Sequence, residues 1–175
     1  MTIEDFKKEI KYFEQKHYKK TTVEEYKKSV KNNEALGYVA WFDIGLDHYE
    51  LGEFNKAIIC YKKALELNSK AADVWNCMGL AFGALGDVEK EIDCYQKALK
   101  LNPENADVWY NLGVTYYELG EYNKAIEYQK KAVKIDPEHT FAWLGMAAAY
   151  GQLGERIKVD ECQEKAVEFL RMNAW

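Results

Sequence analysis

Residues 106–137, ADVWYNLGVTYYELGEYNKAIEYQKKAVKIDP, decide the architecture of this chain. In the first half, Trp109, Leu112 and Tyr116 recur at i, i+3 and i+7, which sets three large apolar side chains on one face of a helix over 106–119. Gly120 interrupts that helix at a point where a residue of positive φ is usually needed. The second half, 122–135, puts Tyr122, Ile126 and Val133, with the small Ala125 and Ala132, on the face of a second helix. Pro137 has no N–H to give a helix and marks the turn out of the unit. Each helix is about 14 residues long, or ~21 Å at 1.5 Å per residue. Neither can bury its apolar stripe alone, so the pair predicts a hairpin stacked on others of its kind.

The rest of the chain supplies those others. Trp41, Trp75, Trp109 and Trp143 keep a step of 34 residues, and so do Gly52, Gly86, Gly120 and Gly154. Ala64, Ala98, Ala132 and Ala166 follow the same step, as do the two prolines, Pro103 and Pro137. A fixed period of this size signals stacked supersecondary units. Gly45, Gly79 and Gly113 each follow a large apolar residue of a first helix, Ile44, Met78 and Leu112. Glycine inside a helix costs about 1 kcal/mol relative to alanine, so its recurrence needs a packing reason. The expected reason is a close helix crossing against alanines such as Ala57 and Ala125, which a bulky side chain would overpack at a cost of ~1–3 kcal/mol.

The pattern Trp-x2-Leu-Gly-x2-Tyr … Ala-x3-Phe … Pro on this period resembles the tetratricopeptide repeat. The third unit, 106–139, fits best through Trp109, Leu112, Gly113, Tyr116, Ala125 and Pro137, with Gln129 in place of the aromatic. The first, 38–71, carries Trp41, Ile44, Gly45, His48, Ala57, Tyr61 and Ala64, with Ser69 where proline is expected. The second, 72–105, carries Trp75, Met78, Gly79, Phe82, Tyr95, Ala98 and Pro103, with Glu91 where the family has a small residue. The fourth, 140–173 with the C-terminal end to 175, drifts most: Ala147, Val159, Gln163 and Arg171 replace glycine, alanine, aromatic and proline. The resemblance implies an all-α fold, a right-handed superhelix (solenoid) of helical hairpins, and a function in binding other proteins.

Residues 1–37 stand outside the pattern. Phe6, Ile10, Phe13 and His17 have the spacing of one amphipathic helix, and Thr22 with Glu25 resembles a capping box opening a second through Val23, Tyr26 and Val30. Such a hairpin would cap the open face of the first repeat. This segment holds 9 Lys against 7 Asp/Glu, opposite in sign to the rest of the chain, which keeps a mobile basic arm as the alternative. At the other end, Val167, Phe169, Leu170, Met172 and Trp175 give an apolar finish with no polar capping helix after it. Self-association into a homo-oligomeric scaffold through this end, or a longer parent chain in which these repeats are the recruiting domain of a regulator or enzyme, would account for it.

In tetratricopeptide proteins the first helices of successive hairpins line a concave groove, and the resemblance assigns its inward positions here. They are Phe42, Asp43, Leu46 and Tyr49 in the first repeat, with Val39 and Glu50, and Asn76, Cys77 and Leu80 in the second, with Asp73, Gly83 and Ala84. The third supplies Tyr110, Asn111, Val114 and Tyr117, with Asp107 and Glu118. The fourth supplies Phe141 and Leu144, with Gly145, Ala148, Gly151 and Gln152. Aromatic anchors among acidic points suit an extended peptide or amphipathic helix bearing apolar, and in part basic, residues. Phe42, Leu46, Phe141 and Leu144 depart from the family towards the apolar. A subset of the family grips chaperone C-terminal carboxylates with basic residues and asparagine. The corresponding places here are Phe42, Leu46, Cys77, Asp107 and Asn111; none is basic and Asp107 would repel a carboxylate, so a clamp of that type is not expected.

Other chemistry is excluded or unsupported. The 175 residues carry a formal net charge of -5, which argues against nucleic acid as a partner. No run approaches the ~20 apolar residues of a membrane span, and the charged N-terminus has no apolar signal core, so a cytoplasmic protein without membrane association is expected. Cys60, Cys77, Cys94 and Cys162 form no Cys-x-x-Cys pair and read as reduced thiols, Cys77 as a small groove filler. His17, His48 and His139 lie in different hairpins, and His48 takes the place of a core aromatic. No phosphate loop, dinucleotide fingerprint or catalytic constellation is present, so neither a cofactor nor an enzymatic activity is expected.

Overall fold

A computed structural model describes residues 37–172. The expected N-terminal hairpin and Trp175 lie outside the described residues. Those described form eight α-helices and no strand: α1 Gly37–Glu50, α2 Phe54–Leu67, α3 Ala72–Ala84, α4 Val88–Leu101, α5 Ala106–Glu118, α6 Tyr122–Ile135, α7 Thr140–Gln152 and α8 Arg156–Met172. They fall into two compact units dividing between Asp87 and Val88, so α1–α3 belong to the first and α4–α8 to the second.

Each helix ends where the chemistry of its last residues requires. The corner glycines Gly52, Gly86, Gly120 and Gly154 have φ of 72, 75, 74 and 76°. At Gly120 this left-handed turn lets the Gly120 and Glu121 N–H groups donate to the carbonyls of Tyr117 and Tyr116, both at 2.9 Å, closing the end of α5. The second helix of each hairpin therefore starts after three residues, with Glu121 as the N-cap of α6. Glu53 and Glu121, the N-cap residues of α2 and α6, make no side-chain cap and pair instead with Lys56 at 2.6 Å and Lys124 at 2.5 Å. The periodic tryptophans anchor the turns between repeats. The indole N–H of Trp109 donates to the Pro103 carbonyl and that of Trp143 to the Pro137 carbonyl, each at 2.8 Å, and Trp75 reaches the Ser69 carbonyl at 3.2 Å. Ser69 thus keeps the acceptor that proline supplies elsewhere.

In the first unit the core gathers Ile44 and Trp41 of α1, Ala57, Tyr61 and Ala64 of α2, and Val74 and Met78 of α3. In the second, Leu112 of α5, Ala125 and Ile126 of α6, Met146 and Tyr150 of α7, and Cys162 of α8 are buried. The helix-interior glycines do enable close packing, but against a different neighbour from the alanines expected. A Cβ on Gly45 would lie 2.4 Å from Cε1 of the Tyr61 ring. A Cβ on Gly113 would lie 2.7 Å from Nε2 of Gln129, and one on Gly145, from α7, would lie 2.6 Å from the same atom. The glycines make room for the large side chain one helical turn beyond the alanine, because that side chain points into the crossing. Gln129, 1% exposed, fills the space of the missing aromatic between two glycines of flanking helices.

Candidate partner-binding face

The residues assigned to a groove lie on first helices that touch within each unit, α1 with α3 and α5 with α7. In the first unit Phe42, Asp43, Leu46, Tyr49, Asn76, Cys77 and Leu80 are all half-buried. The Phe42 ring lies 6.0 Å from that of Tyr61, and Tyr49 meets Phe54 edge-on at 5.3 Å. Burial, with the Asp73 charge, pushes the Cys77 thiol up to about 11, and burial followed by Cys77 raises Tyr49. A thiol so far from ionisation at neutral pH is a poor nucleophile.

In the second unit Tyr110, Asn111, Val114 and Tyr117 are half-buried, while Phe141 (67% exposed) and Leu144 face solvent. Tyr110 stands 5.1 Å from the ring of His139 and 6.3 Å from that of Phe141. His139 is the N-cap of α7: its Nδ1 accepts from the Ala142 N–H at 3.2 Å. That bond fixes the tautomer, leaving Nε2–H to donate to Asp107 Oδ1 at 3.2 Å. Tyr117 packs 5.5 Å from Tyr122 and its hydroxyl accepts from Gln152 Nε2 at 3.3 Å. Burial raises the Tyr110 phenol above its ordinary value.

Several side-chain contacts were not visible in the sequence. His139 occupies a capping place where Ser, Thr, Asp or Asn is usual, and only its position just before Thr140 hints at the role. Thr115 donates its hydroxyl to Glu91 Oε1 at 2.7 Å, across 24 residues of sequence. Glu91, 8% exposed, is a buried carboxylate at a place where the repeat pattern has a small residue. His48 is buried, with Nδ1 2.6 Å from Glu53 Oε2. Hydrogen bonds from Lys56 and His48 hold the Glu53 carboxyl below the usual range. Among the described residues no three His, Cys, Asp or Glu gather to hold a metal ion.

The comparisons with known proteins agree with this architecture. Models of the tetratricopeptide repeat match residues 45–86, 84–120 and 106–139. The chain belongs to the tetratricopeptide repeat family, and its fold is the all-α solenoid of helical hairpins typical of that family. No curated protein matches. Among solved structures, a crystal structure of MamA is 26% identical, covering 99% of this chain and 98% of its own, with a TM-score of 0.75. PilF of Pseudomonas aeruginosa is 24% identical over 77% of this chain and 61% of its own, with a TM-score of 0.71. The first tetratricopeptide domain of Spaghetti (RPAP3), bound to the HSP90 peptide SRMEEVD, is 15% identical over 67% of this chain and 93% of its own, with a TM-score of 0.64. The last two show likeness of fold alone. Proteins of this family generally mediate protein–protein interaction, and no described helix is long and apolar enough to cross a membrane.

Proposed function

We propose that this protein binds a peptide or helical segment of a partner protein at the groove positions of its first helices, Phe42 and Leu46 taken by themselves in the first unit and Tyr110, Phe141 and Leu144 in the second. The observation that carries the reading is the solvent-facing Phe141 beside Tyr110 and His139. A large ring left in water next to two others is a ready anchor, since desolvated aromatic side chains supply most of the energy of protein interfaces. Asp43 and Glu118 favour basic residues in the ligand. The segment is not a chaperone C-terminal carboxylate: the clamp positions Phe42, Leu46, Cys77 and Asn111 carry no positive charge, and Asp107 is acidic, though paired with His139. The test compares partners captured by the intact protein and by its Phe42→Ala/Tyr110→Ala/Phe141→Ala variant. Loss of a specific partner with an unchanged helical spectrum supports the reading; equal capture removes these faces from it.

A second reading, self-association through the end of α8, is favoured by the exposure of Val167, Leu170 and Met172 on a helix that buries only Cys162 and Ala166. Light scattering over a concentration series separates the two, because a constant monomer mass excludes association through this end.

A further inference from the structure

The second unit covers several of its aromatic rings with its own lysines. Lys124 lies over Tyr116 at 4.9 Å, Lys131 over Trp109 at 4.7 Å and Lys158 over Tyr150 at 4.9 Å. Among the described residues no cation lies over Tyr110 or Phe141, although Phe141 is 67% exposed. The distribution of charge explains this. Helix α5 carries Asp107 and Glu118, α7 carries no charged residue, and neither has a lysine or arginine. The turns leading into them add Glu104, Asp136 and Glu138. Asp107 and Phe141 stand at equivalent places of successive repeats, on helices that touch. Tyr110 and His139 connect them: the Tyr110 ring lies 5.1 Å from that of His139 and 6.3 Å from that of Phe141, and His139 Nε2–H donates to Asp107 Oδ1 at 3.2 Å. The Asp107 side chain is 78% exposed and that of His139 only 8%. Because His139 Nδ1 accepts from the Ala142 N–H, its ring carries one proton and no charge. Asp107 therefore keeps its full negative charge and is held in place by a buried partner.

We propose that this patch seats one arginine side chain of a partner polypeptide, its guanidinium flat over the Phe141 ring and donating to Asp107. The inference rests on the reading of the first helices as the binding face, and it names the residue that the second unit recognises there. A planar guanidinium stacks on a ring and donates in its own plane at the same time, which the compact ammonium of lysine does not. Packed helices stand about 8–10 Å apart, a gap that a group stacked on one helix and bonded to the other can bridge. Leu144, one turn along α7 from Phe141 and also exposed, offers apolar surface to the arginine stem. Since His139 already holds Asp107, little ordering remains to be done when the ligand arrives. The surrounding carboxylates, with no fixed cation among them on α5 and α7, steer a positively charged segment to this end of the helices.

The test selects a displayed library of random peptides on the immobilised full chain and on its Asp107→Asn variant, which keeps an acceptor for His139 and removes only the charge. Peptides retained by the wild type should share an arginine at one place, and Asp107→Asn should lose that preference. A selected peptide should bind roughly tenfold more weakly to Asp107→Asn and about threefold more weakly to Phe141→Leu, the losses expected of a charged hydrogen bond and of an exposed cation–π contact. Its binding should also shift the imidazole signals of His139 in NMR spectra. The same peptide with lysine, or with uncharged citrulline, in place of the arginine should bind several-fold more weakly. Equal affinity for either substituted peptide, or for Asp107→Asn, overturns the proposal. Selected peptides without arginine that Phe42→Ala/Tyr110→Ala/Phe141→Ala fails to retain would overturn it and leave the binding face standing. No retained peptide, or peptides that this triple variant holds equally well, would overturn both. The chain's own arginines, Arg156 and Arg171, are exposed on α8. A wild-type dimer dissolved by Asp107→Asn and by Arg156→Ala or Arg171→Ala would place an arginine of a second copy on Phe141 and overturn the separate partner.

Discussion

Glu91 stands on α4 where the repeat pattern has a small residue, and burial pushes its carboxyl above the ordinary value of 4.5 despite the hydrogen bond from Thr115. The raised value means the folded protein holds this proton more tightly than the unfolded chain. The stability it contributes is complete below about pH 4.5 and is lost as pH rises through the folded value. Glu91→Gln keeps an acceptor for Thr115 and removes the buried charge. It should be more stable than wild type at pH 7 in urea titration, with the difference shrinking towards pH 4.5. Thr115→Val should have the opposite effect, costing about 1–3 kcal/mol at pH 7 by removing one of the two hydroxyls, those of Thr115 and Tyr95, that hydrogen-bond the carboxylate. The Gly45 contact gives a second expectation. Gly45→Ala should destabilise, because the overpacking cost of ~1–3 kcal/mol against Tyr61 exceeds the ~1 kcal/mol gained in helix propensity. Tyr61→Phe should cost nothing, since the buried Tyr61 hydroxyl has no hydrogen-bond partner.

Among the elements, the periodic tryptophans matter through their N–H groups as well as their area. Trp143→Phe keeps an aromatic ring but loses the bond to the Pro137 carbonyl, and should cost at least the ~0.5–1.5 kcal/mol of that hydrogen bond in a urea titration. An effect no larger than that of an exposed substitution such as Lys134→Ala would exclude the anchoring role. The elements were the most legible part of the sequence, because a helix announces itself through spacing along one strand of text: Trp109, Leu112 and Tyr116 mark α5, and Gly120 marks its end. Contacts between elements were far less legible. Gly45 against Tyr61 and Gln129 between Gly113 and Gly145 depend on which way a side chain leaves its helix at the crossing. Residue spacing gives the face, not the partner across it. His139 was passed over for the same reason, since its value lies in Asp107 on a helix 32 residues away.

For the whole molecule, packing is held without covalent help. All four cysteines are free, and burial drives the Cys60 thiol up to about 12. The melting temperature should therefore be the same with and without reductant, and a thiol reagent should react slowly until urea unfolds the chain. A fall of several degrees on reduction would reveal a cross-link and refute this. The family was readable from the 34-residue step alone, whereas the ligand was not. The fold leaves exposed residues such as Phe141 and Leu144 unconstrained, and a binding face proposed there would answer to a molecule outside the chain.

The corner at Gly120 has a consequence beyond its own turn. A Cβ built there meets nothing within 4 Å, yet φ is 74°. Space is plentiful and handedness alone reserves the site: an L-alanine pays roughly 1–2 kcal/mol for that backbone, while its mirror-image form would sit at ease. A D-alanine introduced by chemical ligation should thus strengthen the corner by narrowing the freedom of the unfolded chain, leaving the hairpin's contacts as they are.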